Sequence, residues 1–131
     1  MSDKPKENTQ LSILIVDDTP QMCRLISSLL KGEGYQKVSV LTSPQKALSL
    51  LQKRAFDLVL LDNNMPEISG VALLEQLKQI PHLAQTKYIM ITADTAASVV
   101  QTAIKAGADD FIVKPFSAKT LADKIARLCP N

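Results

Sequence analysis

Cysteine and histidine are scarce in this chain: Cys23, Cys129 and His82 are the only ones among 131 residues. The two cysteines lie far apart, both in segments that read as helix. They suggest reduced thiols in a cytoplasmic protein, not a disulfide framework or a thiolate metal site. His82 follows Pro81 in a polar stretch and reads as a surface residue, not as a phosphohistidine or a metal ligand. No apolar run approaches 18 residues, so no membrane span is expected. The opening MSDKPKENTQ lacks the apolar centre of a secretory signal, and residues 1–10 read as a disordered tail. A net charge of +2 is too small to argue for direct nucleic-acid binding.

What is present is enough apolar sequence for one domain, with 46% hydrophobic and 21% charged residues. Five short runs are rich in aliphatic and β-branched residues: SILIV (12–16), KVSVL (37–41), FDLVLL (56–61), KYIMI (87–91) and FIV (111–113). Helical patterns separate them. The first opens at Thr19-Pro20 and the second at Ser43-Pro44, each a hydroxyl residue followed by proline at the first helical position. The third begins near Ser69-Gly70 and must end before Pro81; the fourth covers roughly residues 95–106, closed by Gly107; the fifth opens at Ser117. Strands that alternate with helices of this length predict a parallel sheet covered on both faces. Runs of consecutive apolar residues, without alternation, fit strands buried on both sides.

In an open parallel sheet, ligands bind outside the carboxyl ends of the strands. Asp17 and Asp18 follow the first run, Asp62 the third, Thr92 the fourth and Lys114 the fifth. Distant parts of the chain thus deliver three carboxylates, a hydroxyl and an ammonium to one edge. Two unit charges about 4 Å apart repel by roughly 4 kcal/mol at an effective dielectric of 20. Such a cluster takes up a proton or a cation. An all-oxygen site with room for water suits Mg²⁺. A carboxylate can attack phosphorus to give an acyl phosphate, and a lysine can hold a phosphoryl oxygen. The chemistry that fits is magnesium-assisted phosphoryl transfer onto aspartate. Each residue alone has a plainer reading as a cap, turn or strand end; the set in this order is what carries the inference.

The stretches ILIVDDTPQM, FDLVLLDNNMPEISG, YIMITAD and AGADDFIVKPF resemble the receiver domain of two-component response regulators, over about residues 11–129. The resemblance implies a CheY-like, doubly wound (flavodoxin-like) fold: five parallel strands in the order 2-1-3-4-5 with five helices on the two faces. It implies Asp62 as phosphoacceptor and Asp18 as direct Mg²⁺ ligand. Asp17 would be the acidic partner reaching the metal through water, and Asn64 would lend its backbone carbonyl. Thr92 is implied as the switch hydroxyl, Lys114 as the lysine that pairs with the phosphoryl group, and Phe111 as the aromatic that turns inward. The Lys114-Pro115 bond is often cis in this family. Phe111 stands where many chemotaxis members have tyrosine, and so has no hydroxyl to offer a partner.

The resemblance also implies partners: a sensor histidine kinase or phosphotransfer protein as donor, and an output protein on the face made by the fourth helix, fifth strand and fifth helix. Lys119, Lys124 and Arg127 on the fifth helix read as a solvated face. The sequence stops at RLCPN, which leaves two readings, a stand-alone receiver or the excised receiver of a larger, for instance DNA-binding, regulator. Receivers phosphorylate and dephosphorylate themselves without being enzymes in the ordinary sense. Asn64 and Asp94, two residues after the acceptor and the switch hydroxyl, occupy positions that tune phosphoryl lifetime, and both being polar suggests rapid loss. Two rivals remain. An aspartyl-phosphate hydrolase would need an acid where Asn64 stands. A degenerate receiver would not keep the whole acidic set, Thr92 and Lys114.

Overall fold

The computed structural model describes residues 10–129. The elements alternate throughout: β1 (Ser12–Val16), α1 (Pro20–Gly32), β2 (Lys37–Leu41), α2 (Pro44–Lys53), β3 (Leu58–Asp62), α3 (Gly70–Leu77), β4 (Lys87–Thr92), α4 (Ala97–Ala106), β5 (Asp110–Val113) and α5 (Ala118–Leu128). All strands pair in parallel, in the order β2-β1-β3-β4-β5. This is the expected doubly wound sheet. The expected tail, residues 1–10, lies outside the described residues except for Gln10.

Alternate residues of each strand point to opposite faces, and both faces are dry. Ile13, Ile15, Leu58, Leu60, Ile89 and Ile91 pack with Ile26 and Leu30 of α1 and with Leu121 and Ile125 of α5. Leu14, Val16, Val59, Leu61, Tyr88 and Met90 pack with Leu51 of α2, Leu73 and Leu77 of α3, and Ala103 of α4. Central strand β3 is buried along its whole length, which is why its sequence carries no polar alternation.

The helix starts follow the sequence with two differences. Ser43, Ser69 and Ser117 each accept a hydrogen bond from a backbone N–H in the first turn of the helix they precede. Thr19 occupies the cap position of α1, but its hydroxyl makes no cap bond. Its own N–H instead donates to Asp17 Oδ1 at 2.9 Å, so the entry to α1 is organised by the acidic site. The fourth helix starts at Ala97, not near residue 95, because Asp94 takes the Ala96 N–H at 2.9 Å and holds that stretch in a turn. Gly107 closes α4 with φ of 112° as expected. Between α3 and β4, Pro81–Leu83 forms a turn of 3-10 helix where a polar loop was expected. There the exposed His82 ring places Nε2 2.7 Å from Leu51 O. Cys129 follows α5 as its closing residue, and both cysteines are free. Among the described residues, no helix is long and apolar enough to cross a membrane.

Candidate functional site

Strand register assembles the site. Val16 of β1 lies opposite Leu61 of β3, so the next residues, Asp17 and Asp62, emerge side by side. Thr92 of β4 lies opposite Val113 of β5, and the following Lys114 N–H donates to Thr92 O at 2.8 Å. The site thus forms where the chain order reverses, between β1 and β3, at the carboxyl edge. Asp62 and Thr92 prove to be the last residues of their strands, not the first residues beyond them. Each is therefore held by a strand buried on both sides.

The carboxylates of Asp17, Asp18 and Asp62 each place an oxygen within 4.8 Å of the others, the single acidic cluster of this kind among the described residues. Asp17 and Asp62 are buried, at 0% and 2% exposure, and Asp18 is half-buried. Lys114 Nζ reaches both buried acids, at 3.3 Å from Asp62 Oδ1 and 3.7 Å from Asp17 Oδ2. Asp62 Oδ1 also accepts from Asn64 N at 3.3 Å. Even so, burial, and after it the Asp17 charge, push the Asp62 carboxyl above its ordinary range. These two effects outweigh the Lys114 ammonium and the Asn64 N–H, which pull the other way.

Among the described residues, none donates a hydrogen bond to the buried Asp17 Oδ2, and the Lys114 ammonium stays 3.7 Å away. A buried anionic oxygen without a donor is costly, and beside two further carboxylates it is a fitting place for a hard cation. Mg²⁺ prefers oxygen ligands and retains several waters, which suits one half-buried and two buried carboxylates. Asn64 is exposed beside them. The residues present therefore fit Mg²⁺.

Thr92 is 2% exposed, and its Oγ1 accepts from Asp94 N at 3.0 Å. Since the oxygen accepts, the hydroxyl proton is free to be donated to an anion in the site. The Lys114-Pro115 peptide is cis. Phe111 lies further away, half-buried on β5 against the core, with Lys124 Nζ 5.4 Å from its ring centroid. The structure thus brings together Asp17, Asp18, Asp62 and Lys114, with Thr92 one strand over, and leaves Phe111 outside the pocket.

Three contributors carried no obvious signal in the sequence. Cys23 on α1 donates its thiol to Asp17 O at 3.2 Å. Burial and the neighbouring Asp17 charge push this thiol up to about 11, so it stays protonated and serves as a donor. Gly70 leaves no room for a side chain: a Cβ there would lie 2.5 Å from Asp62 O and 2.9 Å from Asn63 Cα. Asn63 binds the start of α3 through its side chain. The glycine read only as a helix start, and Asn63 carried no reading of its own.

The comparisons with known proteins agree with this fold. The response regulator receiver domain family matches residues 13–126. The chain is 36% identical over 121 residues to chemotaxis protein CheY-3 of Vibrio cholerae, covering 92% of this chain and 93% of that one. It is 40% identical over 113 residues to chemotaxis protein CheY of Bacillus subtilis, covering 86% and 92%. The solved structure of the chemotaxis response regulator CheY4 of Vibrio cholerae superposes with a TM-score of 0.83 at 29% identity, over 90% of this chain and 98% of that one. With its strand order matched as well, the chain belongs to the family of response regulator receiver domains.

Proposed function

We propose that Asp62 accepts a phosphoryl group from a histidine kinase or phosphotransfer protein, and that the receiver unit spans residues 11–129. The observation that carries this reading is the Asp62 carboxylate itself: buried at the end of β3, paired with Lys114 and clustered with two other acids. An Asp62 oxygen attacks phosphorus while the P–N bond to the donor imidazole breaks, leaving an acyl phosphate on the aspartate. Lys114 Nζ takes one phosphoryl oxygen, giving up its contact with Asp62 Oδ1. Thr92 donates its free hydroxyl proton to another. Asp17, Asp18, Asp62 and the Asn64 carbonyl would hold Mg²⁺, which when bound offsets the charge shared by the carboxylates and the phosphoryl group.

A receiver of this kind shifts the population of its output face, here β5 with its flanking helices α4 and α5, and Phe111 is the aromatic of that switch. Lys114 directly follows the last residue of β5, which supports the connection. The reaction is stoichiometric self-phosphorylation followed by self-dephosphorylation. Asn64 and Asp94 are both exposed at the mouth of the site, which favours water entry and a short-lived acyl phosphate. A phosphoryl group surviving many hours with Mg²⁺ present would contradict that lifetime. A hydrolase acting on outside substrates is disfavoured because the residue two after Asp62 is an asparagine, with no proton to give a leaving group. We place the protein in the cytoplasm, where its phosphodonors are made.

The test is intact mass after incubation with Mg²⁺ and acetyl phosphate. Wild type gains one labile phosphoryl group and Asp62→Asn gains none. A wild type that stays unlabelled by acetyl phosphate and by a phosphorylated histidine kinase would overturn the reading.

A further inference from the structure

Asn63 stands between Asp62 and Asn64, and it is tied on both sides. Its N–H donates to Ile91 O on β4 at 2.9 Å, and its carbonyl accepts from Gly70 N at 3.1 Å. Its side-chain Oδ1 accepts from Val71 N at 3.2 Å. A helix leaves its first four N–H groups without intrahelical acceptors. Asn63 takes two of these on α3, one with main chain and one with side chain, and so bridges β4 to the head of α3.

The bridge runs on into the site. The Asn63 carbonyl bound by Gly70 belongs to the same rigid peptide plane as the Asn64 N–H, and that N–H donates to Asp62 Oδ1 at 3.3 Å. Fixing one end of the plane aims the other. The next carbonyl along the chain is that of Asn64. Gly70 can approach this closely because a side chain there would collide with Asp62 O.

We propose that Asn63 is a positioning residue for phosphoryl acceptance. Its carboxamide holds the first turn of α3 in place, and so sets the peptide that orients the Asp62 carboxylate and presents the Asn64 carbonyl to Mg²⁺. The proposal rests on the function argued above. It gives the asparagine a role that an alanine cannot fill, because Val71 N would lose its acceptor. An open cavity of about 310 Å³ lies against Asn63 between α3 and α4 and would admit water to that N–H, so an alanine variant is expected to fold.

The experiment measures Mg²⁺ affinity by calorimetry on the full chain, for wild type, Asn63→Ala, Asn63→Asp and Ser69→Ala. Ser69→Ala is the control. It removes another cap bond from the same helix, Ala72 N to Ser69 Oγ at 3.1 Å, without touching Asn63. Asn63→Ala should weaken Mg²⁺ binding about tenfold, as expected for a group that orients ligands. Ser69→Ala should stay within about twofold. Asn63→Asp keeps the acceptor for Val71 N and should bind at least as tightly as wild type. Equal affinity of the alanine variant and wild type, or equal weakening by Asn63→Ala and Ser69→Ala, would reduce Asn63 to an ordinary helix cap and overturn the proposal. A wild type that binds no Mg²⁺ would overturn the metal reading beneath it, which is a different result.

Discussion

The ammonium of Lys114 stands 3.3 Å from Asp62 Oδ1, although 52 residues separate the two in sequence. The same ammonium is 3.7 Å from Asp17 Oδ2, and Asp18 completes the cluster. Among the described residues, one cation therefore faces three carboxylates, two of them buried. The site is under-neutralised, and the fold supplies the rigidity that keeps it so. Two of the predictions below follow from that imbalance.

Asp62→Asn is expected to stabilise the protein at neutral pH while abolishing phosphorylation. The folded Asp62 carboxyl lies above its ordinary value, through burial and then Asp17. The folded state thus binds this proton more tightly than the unfolded state. The associated stability is present at low pH and is lost as pH rises through the raised folded value. Removing the charge should raise Tm at pH 8 by a few degrees, corresponding to about 1 kcal/mol. The gap between variant and wild type should close as pH falls towards about 4, and also on saturation with Mg²⁺. Thermal melts against pH, with and without Mg²⁺, check this; a gap that widens in acid would contradict it.

Lys114→Met should act in the opposite sense. It removes the cation that pairs with Asp62 and Asp17 and leaves two buried acids facing each other. Breaking a fully buried pair costs roughly 3–5 kcal/mol. The Lys114 side chain is 22% exposed, so water softens the loss to about 1–3 kcal/mol. Added Mg²⁺ should restore more stability to this variant than to wild type. Urea melts at low salt, with Mg²⁺ and with EDTA, provide the comparison.

The sheet edge was legible because strand burial is written as runs of aliphatic residues, and the polar residue that ends each run marks the edge. Asp17, Asp62, Thr92 and Lys114 could all be located from that rule together with the resemblance to receivers. The contacts that orient them were not legible. Asn63 and Asn64 look alike as letters, yet the side chain of Asn63 turns back to α3 and Asn64 meets the acceptor through its backbone. Thr19 precedes a proline as Ser43 does, yet only Ser43 caps its helix, because Asp17 competes for the chain at Thr19. Such choices depend on three-dimensional competition for donors, which spacing does not encode.

Gly70→Ala tests the tightness of the loop behind the acceptor. The new methyl carbon would meet backbone atoms, at 2.5 Å from Asp62 O and 2.9 Å from Asn63 Cα, as well as Met90 Sδ at 2.9 Å. Backbone cannot move aside as a flexible side chain can, so overpacking should cost about 2–3 kcal/mol. The displacement falls on Asp62 itself, so labelling by acetyl phosphate should slow even where the variant is folded. Denaturation midpoints and labelling rates measured on the same sample separate the two effects.

The serine caps and Thr19 make a contrasting set. Ser43→Ala and Ser117→Ala each remove the side-chain acceptor of a first-turn N–H, at 3.2 Å from Lys46 N and 3.1 Å from Thr120 N. Each should cost about 1 kcal/mol. Thr19→Ala should cost close to nothing through capping, since that hydroxyl makes no cap bond. Chemical denaturation of the three variants distinguishes this from a reading based on sequence alone, which makes all three equivalent.

Lys124 holds Phe111 from outside. Its Nζ lies 5.4 Å from the Phe111 ring centroid and 3.1 Å from Asp110 Oδ1, and Arg127 adds a longer contact to Asp110 at 3.9 Å. The ammonium is thus fixed by one neighbour while it attracts the ring of the next, a cation–π contact of about 0.5–1 kcal/mol at a partly exposed site. Phe111 has no hydroxyl with which to make a contact of its own, and among the described residues this cation is the charged group recorded over its ring. Lys124→Met keeps the aliphatic stem and removes the charge. If Phe111 turns inward on phosphorylation, the variant should populate the inward position more in the unphosphorylated protein, by about two- to fivefold for that energy. NMR of selectively labelled phenylalanine would show the Phe111 resonances moving towards those of the phosphorylated state, with Phe56 unmoved as the internal control. Unchanged Phe111 resonances in Lys124→Met would show that packing alone sets the ring, and that the cation above it is only a surface contact.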